Sequence, residues 1–173
     1  MAILTYPIYD TVDLSDSAAQ THTLFTQGQG TSSTKTFVQT NMRGSGQFPD
    51  RENFTIKGIG LHVNAVGFSD DDIQGVFVNS IFRINYNNVK VLEMPAYKLS
   101  DLNAVSGIKT ESTASPFDYF GQEGMGFMLD NPITIEGGKN FNAEFYQALA
   151  VDTAGLDLLV TLFGDLDSPD INP

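Results

Sequence analysis

The residue types that most often catalyse reactions are scarce in this sequence. It contains no cysteine and only two histidines, His22 and His62. The lack of cysteine excludes thiol nucleophiles, cysteine-ligated zinc and iron–sulfur clusters. A cupin-type metal site draws two or three histidines and a carboxylate from neighbouring strands, and two isolated histidines do not supply that set. His62 also alternates with apolar residues, so we expect its side chain to face solvent. The sequence therefore predicts no histidine-based metal site and no cofactor.

Motifs for nucleophilic catalysis and for phosphate binding are incomplete. No G-x-S-x-G elbow occurs, and the GSG of residues 44–46 lacks the strand-to-helix context that an elbow requires. Gly28 and Gly30 lack the third glycine of a dinucleotide-binding loop, and the GKN of residues 138–140 lacks both the upstream glycine and the Ser/Thr of a phosphate loop. With no nucleophile–base pair and no metal set, the sequence indicates that the protein is not an enzyme.

A run of three acids, Asp70, Asp71 and Asp72, could contribute oxygen ligands to a calcium site. Three consecutive acids cannot all point at one ion from a regular element. Acids in the first turn of a helix oppose its dipole, and an apolar stretch follows this run. We therefore interpret it as the start of a short helix, and a divalent-cation site there stays open.

A second group of acids lies near the C-terminus. Asp165, Asp167 and Asp170 are spaced D-x-D-x-x-D, but the glycine and terminal glutamate of a calcium loop are missing. This spacing indicates an acidic, solvated tail over about residues 166–173. Nothing in the sequence selects a pair of carboxylates for glycoside hydrolysis.

Composition and charge exclude further classes of function. The 173 residues include 9 Lys+Arg and 21 Asp+Glu, giving a formal net charge of −12. Such a chain lacks the basic surface of a nucleic-acid-binding protein, and anionic lipid headgroups would repel it. No apolar run approaches the roughly 18 residues of a membrane-spanning helix, and the first residues do not have the pattern of a secretory signal. The length fits one domain over residues 1–173.

Short apolar runs separated by glycine, proline and small polar residues predict mainly β-strands. The alternation is clearest over residues 54–66, with a change of phase near Gly58 that suggests a β-bulge. Asn87 and Asn88 indicate a tight turn between two strands. The predicted strands span residues 21–26, 34–40 (around Phe37 and Val38), 54–66, 80–86, 89–94, 133–136, 141–149 and 156–163. This pattern favours an all-β fold, a single jelly-roll β-sandwich or barrel of eight or nine strands with one or two short helices.

Two apolar segments have the composition of contact surfaces between subunits. The N-terminal arm, about residues 1–10, is extended, and it pairs either with its own sheet or with the edge of a partner. The segment 117–129 is rich in aromatic residues, methionine and glycine. It either folds over one end of the barrel or is buried against a neighbouring subunit. The candidate interface residues of the two segments are Ile3, Leu4, Tyr6, Ile8, Tyr9, Phe117, Tyr119, Phe120, Met125, Phe127 and Met128.

The C-terminal third resembles a family of viral proteins. Residues 132–145 (PITIEGGKNFNAEF) have the form P-I-x-I-x-x-G-x-x-F-x-x-x-[apolar], and residues 156–166 (LDLLVTLFGDL) form a strand that ends L-x-G-x-L. Upstream, a short helix leads into a hairpin, Ser80 to Glu93, ending E-M-P. This order of motifs, over about residues 54–166, is similar to that of the single jelly-roll small major capsid proteins of membrane-containing icosahedral viruses, such as Thermus phages and their haloarchaeal relatives.

The resemblance implies a structural protein of the virion, made in the host cytoplasm, with no catalytic residues to carry over. In such viruses two related barrels stand upright on the capsid surface above an internal membrane. The implied partners are further copies of this chain, a larger companion capsid protein and, indirectly, the internal membrane, with no nucleic acid. An alternative from another class is a β-sandwich module that binds carbohydrate or a receptor, such as a viral spike or appendage domain.

Overall fold

Nine strands are defined in the residues that the computed structural model describes, which are 2–14, 18–29, 35–65, 76–99, 126–150 and 156–169. The strands are β1 (Ala2–Thr5), β2 (Ile8–Asp13), β3 (Gln20–Leu24), β4 (Asn53–Ala65), β5 (Ser80–Tyr86), β6 (Val89–Pro95), β7 (Phe127–Ile135), β8 (Phe141–Gln147) and β9 (Leu156–Ser168). A short 3₁₀ turn, Ala96–Lys98, follows β6. No helix in this described part is long and apolar enough to cross a membrane.

The strands pair as one long hairpin that is folded over. All pairs are antiparallel: β5 pairs with β6, β4 with β7, β3 with β8 and β2 with β9. Two further pairs, β4 with β9 and β5 with β8, join these hairpins into two sheets. The first sheet has the order β2–β9–β4–β7, with β1 lying beyond β2 along β9, and the second has the order β3–β8–β5–β6. This nested pairing is that of a jelly roll, and the predicted all-β fold is confirmed.

The core lies between the two sheets and follows from the period of two in the strands. In β9 every second residue is buried. In β4 the buried side chains are Phe54 and Ile56 on one side of an irregularity, and Ile59 and Leu61 on the other. The predicted change of phase near Gly58 is therefore confirmed as a bulge, which keeps both halves of this long strand in the core.

Two turns have backbone angles in the left-handed region, and the one predicted at Asn87 and Asn88 is confirmed. Asn87 and Asn88, between β5 and β6, have φ values of 50° and 63°. Two successive positive φ values are those of a type I′ turn, whose twist matches that of the flanking strands. Gly138, between β7 and β8, has a φ of 71°. Asparagine and glycine tolerate this region better than other residues, so the sequence supplies the residues that these turns need.

The predicted strand over residues 34–40 is wrong, because its described part forms a tight turn with one isolated bridge to β2. The Thr40 N–H donates to the Thr36 carbonyl O at 3.1 Å. Local bonds of this kind satisfy the backbone without a neighbouring strand. Phe37 and Val38, which alternation assigned to a strand, are 65% and 82% exposed at the tip of the turn.

Three predicted boundaries are also corrected. β7 begins at Phe127, so the last residues of the segment 117–129 belong to a strand and not to a loop. β9 continues to Ser168, and Leu166 is buried, so the predicted acidic tail does not begin at residue 166. The reason is that β1 pairs with the last four residues of β9 and extends the sheet there. β8 ends at Gln147, two residues earlier than predicted.

The predicted short helix is described only at its end. Residues 76–78 are helical, and Val76 and Phe77 are buried. Asp70, Asp71 and Asp72 lie outside the described residues, and the candidate cation site there lies outside them as well.

Candidate assembly interface

The N-terminal arm pairs with its own sheet. β1 and β2 lie end to end along β9 in a single register. The Tyr6 N–H donates to the Gly164 carbonyl O at 2.9 Å, so the register continues across the break between the two strands. The break contains Pro7, which has no N–H and is tolerated at the edge of a sheet. Of the two arrangements that the sequence left open, the structure has the one within the chain.

The five candidate residues of the arm have different environments. Ile8 is only 2% exposed and belongs to the core, so its side chain is not part of any surface. Tyr6 packs partly against the core, and Tyr9 is half-buried. Ile3 and Leu4 are 71% and 43% exposed. The arm therefore contributes the side chains of β1, and not those of β2, to an apolar surface.

The outer edge of β2 is covered by the turn that replaces the predicted strand; we call residues 35–41 the edge turn. The Asn41 N–H donates to the Tyr9 carbonyl O at 3.3 Å, and the Tyr9 N–H donates to Asn41 Oδ1 at 2.9 Å. The Tyr9 hydroxyl donates to the Phe37 carbonyl O at 2.6 Å, which holds the tip in place. The Asn41 Nδ2 donates to the Pro7 carbonyl O at 2.8 Å, and the described contacts of the edge turn extend no further toward β1.

The outer edge of β1 stays open within the described part of the chain. Because Tyr6 directs its N–H toward β9, the even-numbered residues of this edge bond inward and the odd-numbered ones bond outward. The same rule explains why Tyr9 bonds to the edge turn. In β1 the outward groups are the N–H and C=O of Ile3 and Thr5. Strand β1 thus offers unpaired backbone groups beside two exposed apolar side chains.

The candidate residues of β7 lie at the opposite edge of the same sheet. Phe127 and Met128 are exposed, and Met128 lies opposite Gly58 of β4. Gly58 lies in turn opposite Phe163 of β9, which is also exposed. The structure therefore does not bring the arm and β7 candidates together, because β9 and β4 separate them. The remaining candidates, Phe117, Tyr119, Phe120 and Met125, lie outside the described residues.

On the first sheet and the edge turn, three exposed apolar residues were not among the candidates. Phe37 and Val38 were assigned to a strand, and Phe163 was the last residue of the predicted strand 156–163. The signal for Phe163 is in the sequence, since the inward positions of β9 are Leu162 and Gly164 and the period of two turns the residue between them outward. The turn at Phe37 has no comparable signal, because its threonine-rich flanks suit a strand equally well.

Charges on the outer face of the first sheet are concentrated toward its ends. Asp157 lies opposite Asp13, and burial, together with the charge of Asp13, raises the pKa of Asp157. Toward the other end, Lys57 forms an ion pair with Asp165, and their hydrogen bond is the main reason that the pKa of Asp165 is lowered. Between these two groups of charges lie the exposed side chains of Phe163 and Met128, with Gly58 of β4 between them.

The outer face of the second sheet is ionic by comparison. Arg83 Nε donates to Glu93 Oε2 at 2.6 Å, and Lys90 Nζ donates to the same oxygen at 2.8 Å. Both hydrogen bonds lower the pKa of Glu93, and the bond from Lys90 has the larger effect. Glu144 adds a longer contact to Arg83 at 3.9 Å. A face whose charges are already paired in this way has less to gain from an apolar partner.

A small cleft lies at one end of the barrel around the carboxylate of Glu52. Ser168 Oγ donates to Glu52 Oε1 at 3.0 Å, and Arg43 Nη1 lies 3.4 Å from the same oxygen. Glu52 therefore links Ser168, at the end of β9, to Arg43 in the loop before β4, and this gives Glu52 a structural role. Beside Glu52, Arg43 and Leu166, the cleft is lined by Tyr6, Ile8, Asn41, Met42, Gln47, Phe48 and Pro49.

The two histidines occupy the positions of ordinary structural residues. His22 is buried, and its Nε2 lies 2.9 Å from Gln147 Oε1. His62 is exposed on β4, as predicted from the alternation. Within the described ranges, no group of three His, Cys, Asp or Glu side chains could hold a metal ion.

Comparisons with known proteins give no family assignment, since no protein-family model and no curated protein sequence matches this chain.

Proposed function

We propose that this chain is a structural subunit of a virion shell, a capsid protein that assembles with further copies of itself and with a larger companion capsid protein. One observation carries the proposal: a jelly roll whose first sheet, as far as the described residues show, ends in an open, apolar edge. An open edge of this kind is a template for pairing with another chain.

The distribution of exposed apolar side chains supports assembly through the first sheet. In the described ranges thirteen large apolar side chains are exposed, and seven of these lie on the first sheet or on the edge turn. Burial of apolar surface contributes about 25 cal/mol per Å², so covering these side chains favours association. The seven residues are Ile3, Leu4, Phe37, Val38, Phe127, Met128 and Phe163.

The sequence motifs support the kind of assembly. Residues 132–145 fall on the end of β7, the turn and β8, and residues 156–166 fall on β9, so both motifs lie on strands of the jelly roll. The resemblance based on them is to capsid subunits that surround an internal membrane. In such a role the chain performs no reaction, and its location is the capsid shell.

Light scattering on the purified chain, across protein and NaCl concentrations and followed by electron microscopy, tests the proposal. We expect a dimer or larger closed oligomer whose population rises with salt, because screening weakens the repulsion between chains of net charge −12. A monomer in every condition would contradict self-assembly. Glycan binding by such a monomer would favour the carbohydrate-binding alternative.

A pair of matched variants tests which surface is used. Phe163→Ser changes an exposed residue of the first sheet, and Val89→Ser changes an exposed residue of the second. We expect the first variant to weaken association and the second to leave it unchanged. Equal effects of the two variants would mean that the first sheet has no special part in assembly.

A further inference from the structure

We propose that two copies of the chain pair through β1, antiparallel about a two-fold axis at Leu4, so that their first sheets join into one continuous sheet. The inference rests on the proposed self-assembly and names the surface and the partner. It is carried by the register of the open backbone groups, by the charges around them and by the features of the other edges.

The register follows from the outward groups of Ile3 and Thr5. In an antiparallel ladder, hydrogen-bonded pairs alternate with pairs that have no hydrogen bonds between them. With the axis at Leu4, Ile3 of each copy lies opposite Thr5 of the other, and the outward N–H and C=O groups of all four residues find partners. A contact that is the same on both sides of an axis is closed, and it satisfies both edges at once.

The side chains are compatible with the same register. Leu4 occupies the position without hydrogen bonds, where paired side chains come closest, so the two Leu4 side chains meet at the axis. Leu4 is partly exposed in the single chain, and Ile3 beside it is largely exposed. Pairing would cover both residues. The edge turn leaves room for a second strand, because its contacts end at Pro7.

The charges permit two acidic chains to approach here. The residues of β1 are uncharged, and among the described residues the carboxylates closest along the ladder are one strand further in, since Ile3 pairs with Asp167 and Thr5 pairs with Asp165. In the joined sheet Asp167 of one copy lies three strand spacings, about 14 Å, from Asp165 of the other. That separation exceeds the Debye length of about 8 Å at physiological ionic strength. Asp165 is also paired with Lys57.

Three other edges carry features that oppose pairing. β7 has an irregular stretch that contains Asp130 and Pro132. β6 has a register shift, contains Lys90 and ends at Pro95. The exposed side chains of β3 are polar, so this edge offers no apolar surface beside its backbone. By contrast, β1 is uncharged and has no proline or bulge within it.

An engineered disulfide tests the register, because the chain contains no cysteine of its own. At the axis the two Cα atoms at position 4 would be about 4.5 Å apart, within the range that a disulfide spans. We expect Leu4→Cys to form a disulfide-linked dimer in nearly all chains under mild oxidation. The product is measured by non-reducing electrophoresis and mass spectrometry.

Ile3→Cys is the matched control, because Ile3 is the more exposed of the two neighbours. In the proposed register its two Cα atoms lie about 8 Å apart, too far for a disulfide. Random collisions would follow exposure and link Ile3→Cys at least as fast as Leu4→Cys. Efficient linkage of Leu4→Cys alone supports the register, and equal linkage of both variants overturns it.

A proline variant separates pairing from folding. Ile3→Pro removes an N–H that points away from β9, so the bonds of β1 to its own sheet remain. At about 0.1 M salt, where wild type is expected to be a dimer, we expect Ile3→Pro to be a folded monomer with nearly unchanged thermal stability. If wild type is a dimer under this condition and Ile3→Pro stays a dimer, the β1 edge is overturned while self-assembly stands. If wild type is monomeric at every concentration and salt, and Leu4→Cys is not linked, both the inference and the proposed function fail.

Discussion

The carboxylate of Asp10 joins three segments of the chain from within the core. It is fully buried, accepts a hydrogen bond from the Phe25 N–H at 2.6 Å and pairs with Lys35 Nζ at 2.7 Å. Phe25 has a positive φ of 64°, a strained conformation for a bulky residue that this bond helps to hold. A single side chain of β2 therefore fixes the end of β3 and the start of the edge turn.

Replacing Asp10 tests that role. We expect Asp10→Ala to lower the free energy of unfolding by about 3–5 kcal/mol, because it leaves Lys35 and the Phe25 N–H without their partner. Asp10→Asn is expected to cost less, since its amide oxygen can still accept from Phe25. Urea denaturation measures both variants. A loss below about 1 kcal/mol for Asp10→Ala would contradict the assigned role.

Two acids of β9 are expected to respond to pH in opposite directions. Lys57 lowers the pKa of Asp165 below its ordinary 3.8, so this carboxylate stabilises the fold above that value and the effect is lost as the pH falls through the lowered pKa. Burial and Asp13 raise the pKa of Asp157 above 3.8, so its ionisation destabilises the fold as the pH rises through the raised value. Asp165→Asn should therefore lower Tm at neutral pH, and Asp157→Asn should raise it.

The two variants serve as controls for each other, since both remove one negative charge from the same strand. Thermal melts from neutral pH to below the lowered pKa of Asp165 measure the differences from wild type. Both differences should shrink toward zero at the acidic end, where all three proteins are neutral at the changed position. Shifts of the same sign at neutral pH would mean that overall charge, and not the local partners, sets the effect.

At the scale of elements, two glycines show how closely β4 packs against its neighbours, Gly164 of β9 on one side and β7 beside Gly58 on the other. A Cβ at Gly164 would lie 2.1 Å from the Thr55 carbonyl O and 2.9 Å from the Phe54 ring, both fixed parts of the neighbouring strand. A Cβ at Gly58 would lie 2.8 Å from the sulfur of Met128, near the end of a flexible and exposed side chain, and its nearest backbone atom, the Phe127 carbonyl O, would be 3.3 Å away. The same substitution therefore meets a rigid neighbour at one site and a movable one at the other.

We expect Gly164→Ala to destabilise the protein by about 1–3 kcal/mol or more through overpacking. Gly58→Ala should stay within about 1 kcal/mol of wild type, because Met128 can turn away and alanine suits a strand better than glycine. Urea denaturation of the two variants gives the comparison. Equal losses would show that the separation of β4 and β9 is not set by Gly164.

The strands could be predicted where burial of one face makes apolar and polar residues alternate. They could not be predicted where no such alternation is imposed. β4 and β9 alternate because each has one face in the core, so the bulge at Gly58 could be found as a change of phase. The edge turn has the same residue types as a strand, but its backbone bonds are local and its apolar side chains face solvent. Residue types alone do not distinguish these two ways of satisfying the backbone.

At the scale of the whole molecule, the jelly roll could be inferred from the number and spacing of strands, but the open edge could not. Openness depends on what lies beside β1 in space, and the edge turn that stops at Pro7 is more than thirty residues away along the chain. The segment 117–129 was a candidate for its composition, and only its last residues, on β7, are described. Composition thus indicates apolar surface, while topology decides which part of it is free.

The net charge of −12 predicts two kinds of association with different dependence on salt. Pairing through β1 places the nearest opposing carboxylates about 14 Å apart, so it should change little above about 0.1 M salt, where the Debye length is about 10 Å. Larger assemblies bring the acidic side surfaces of several subunits together, so they should need higher salt or divalent cations. Light scattering across NaCl concentrations should therefore show a dimer first and larger species at a higher salt concentration.

The double variant Asp13→Asn and Asp157→Asn tests this separation, because it removes two charges at the far end of the sheet. It should shift the transition to larger species to lower salt and leave the formation of the dimer unchanged. A single transition, or an equal shift of both, would mean that the dimer and the larger assemblies use the same surface.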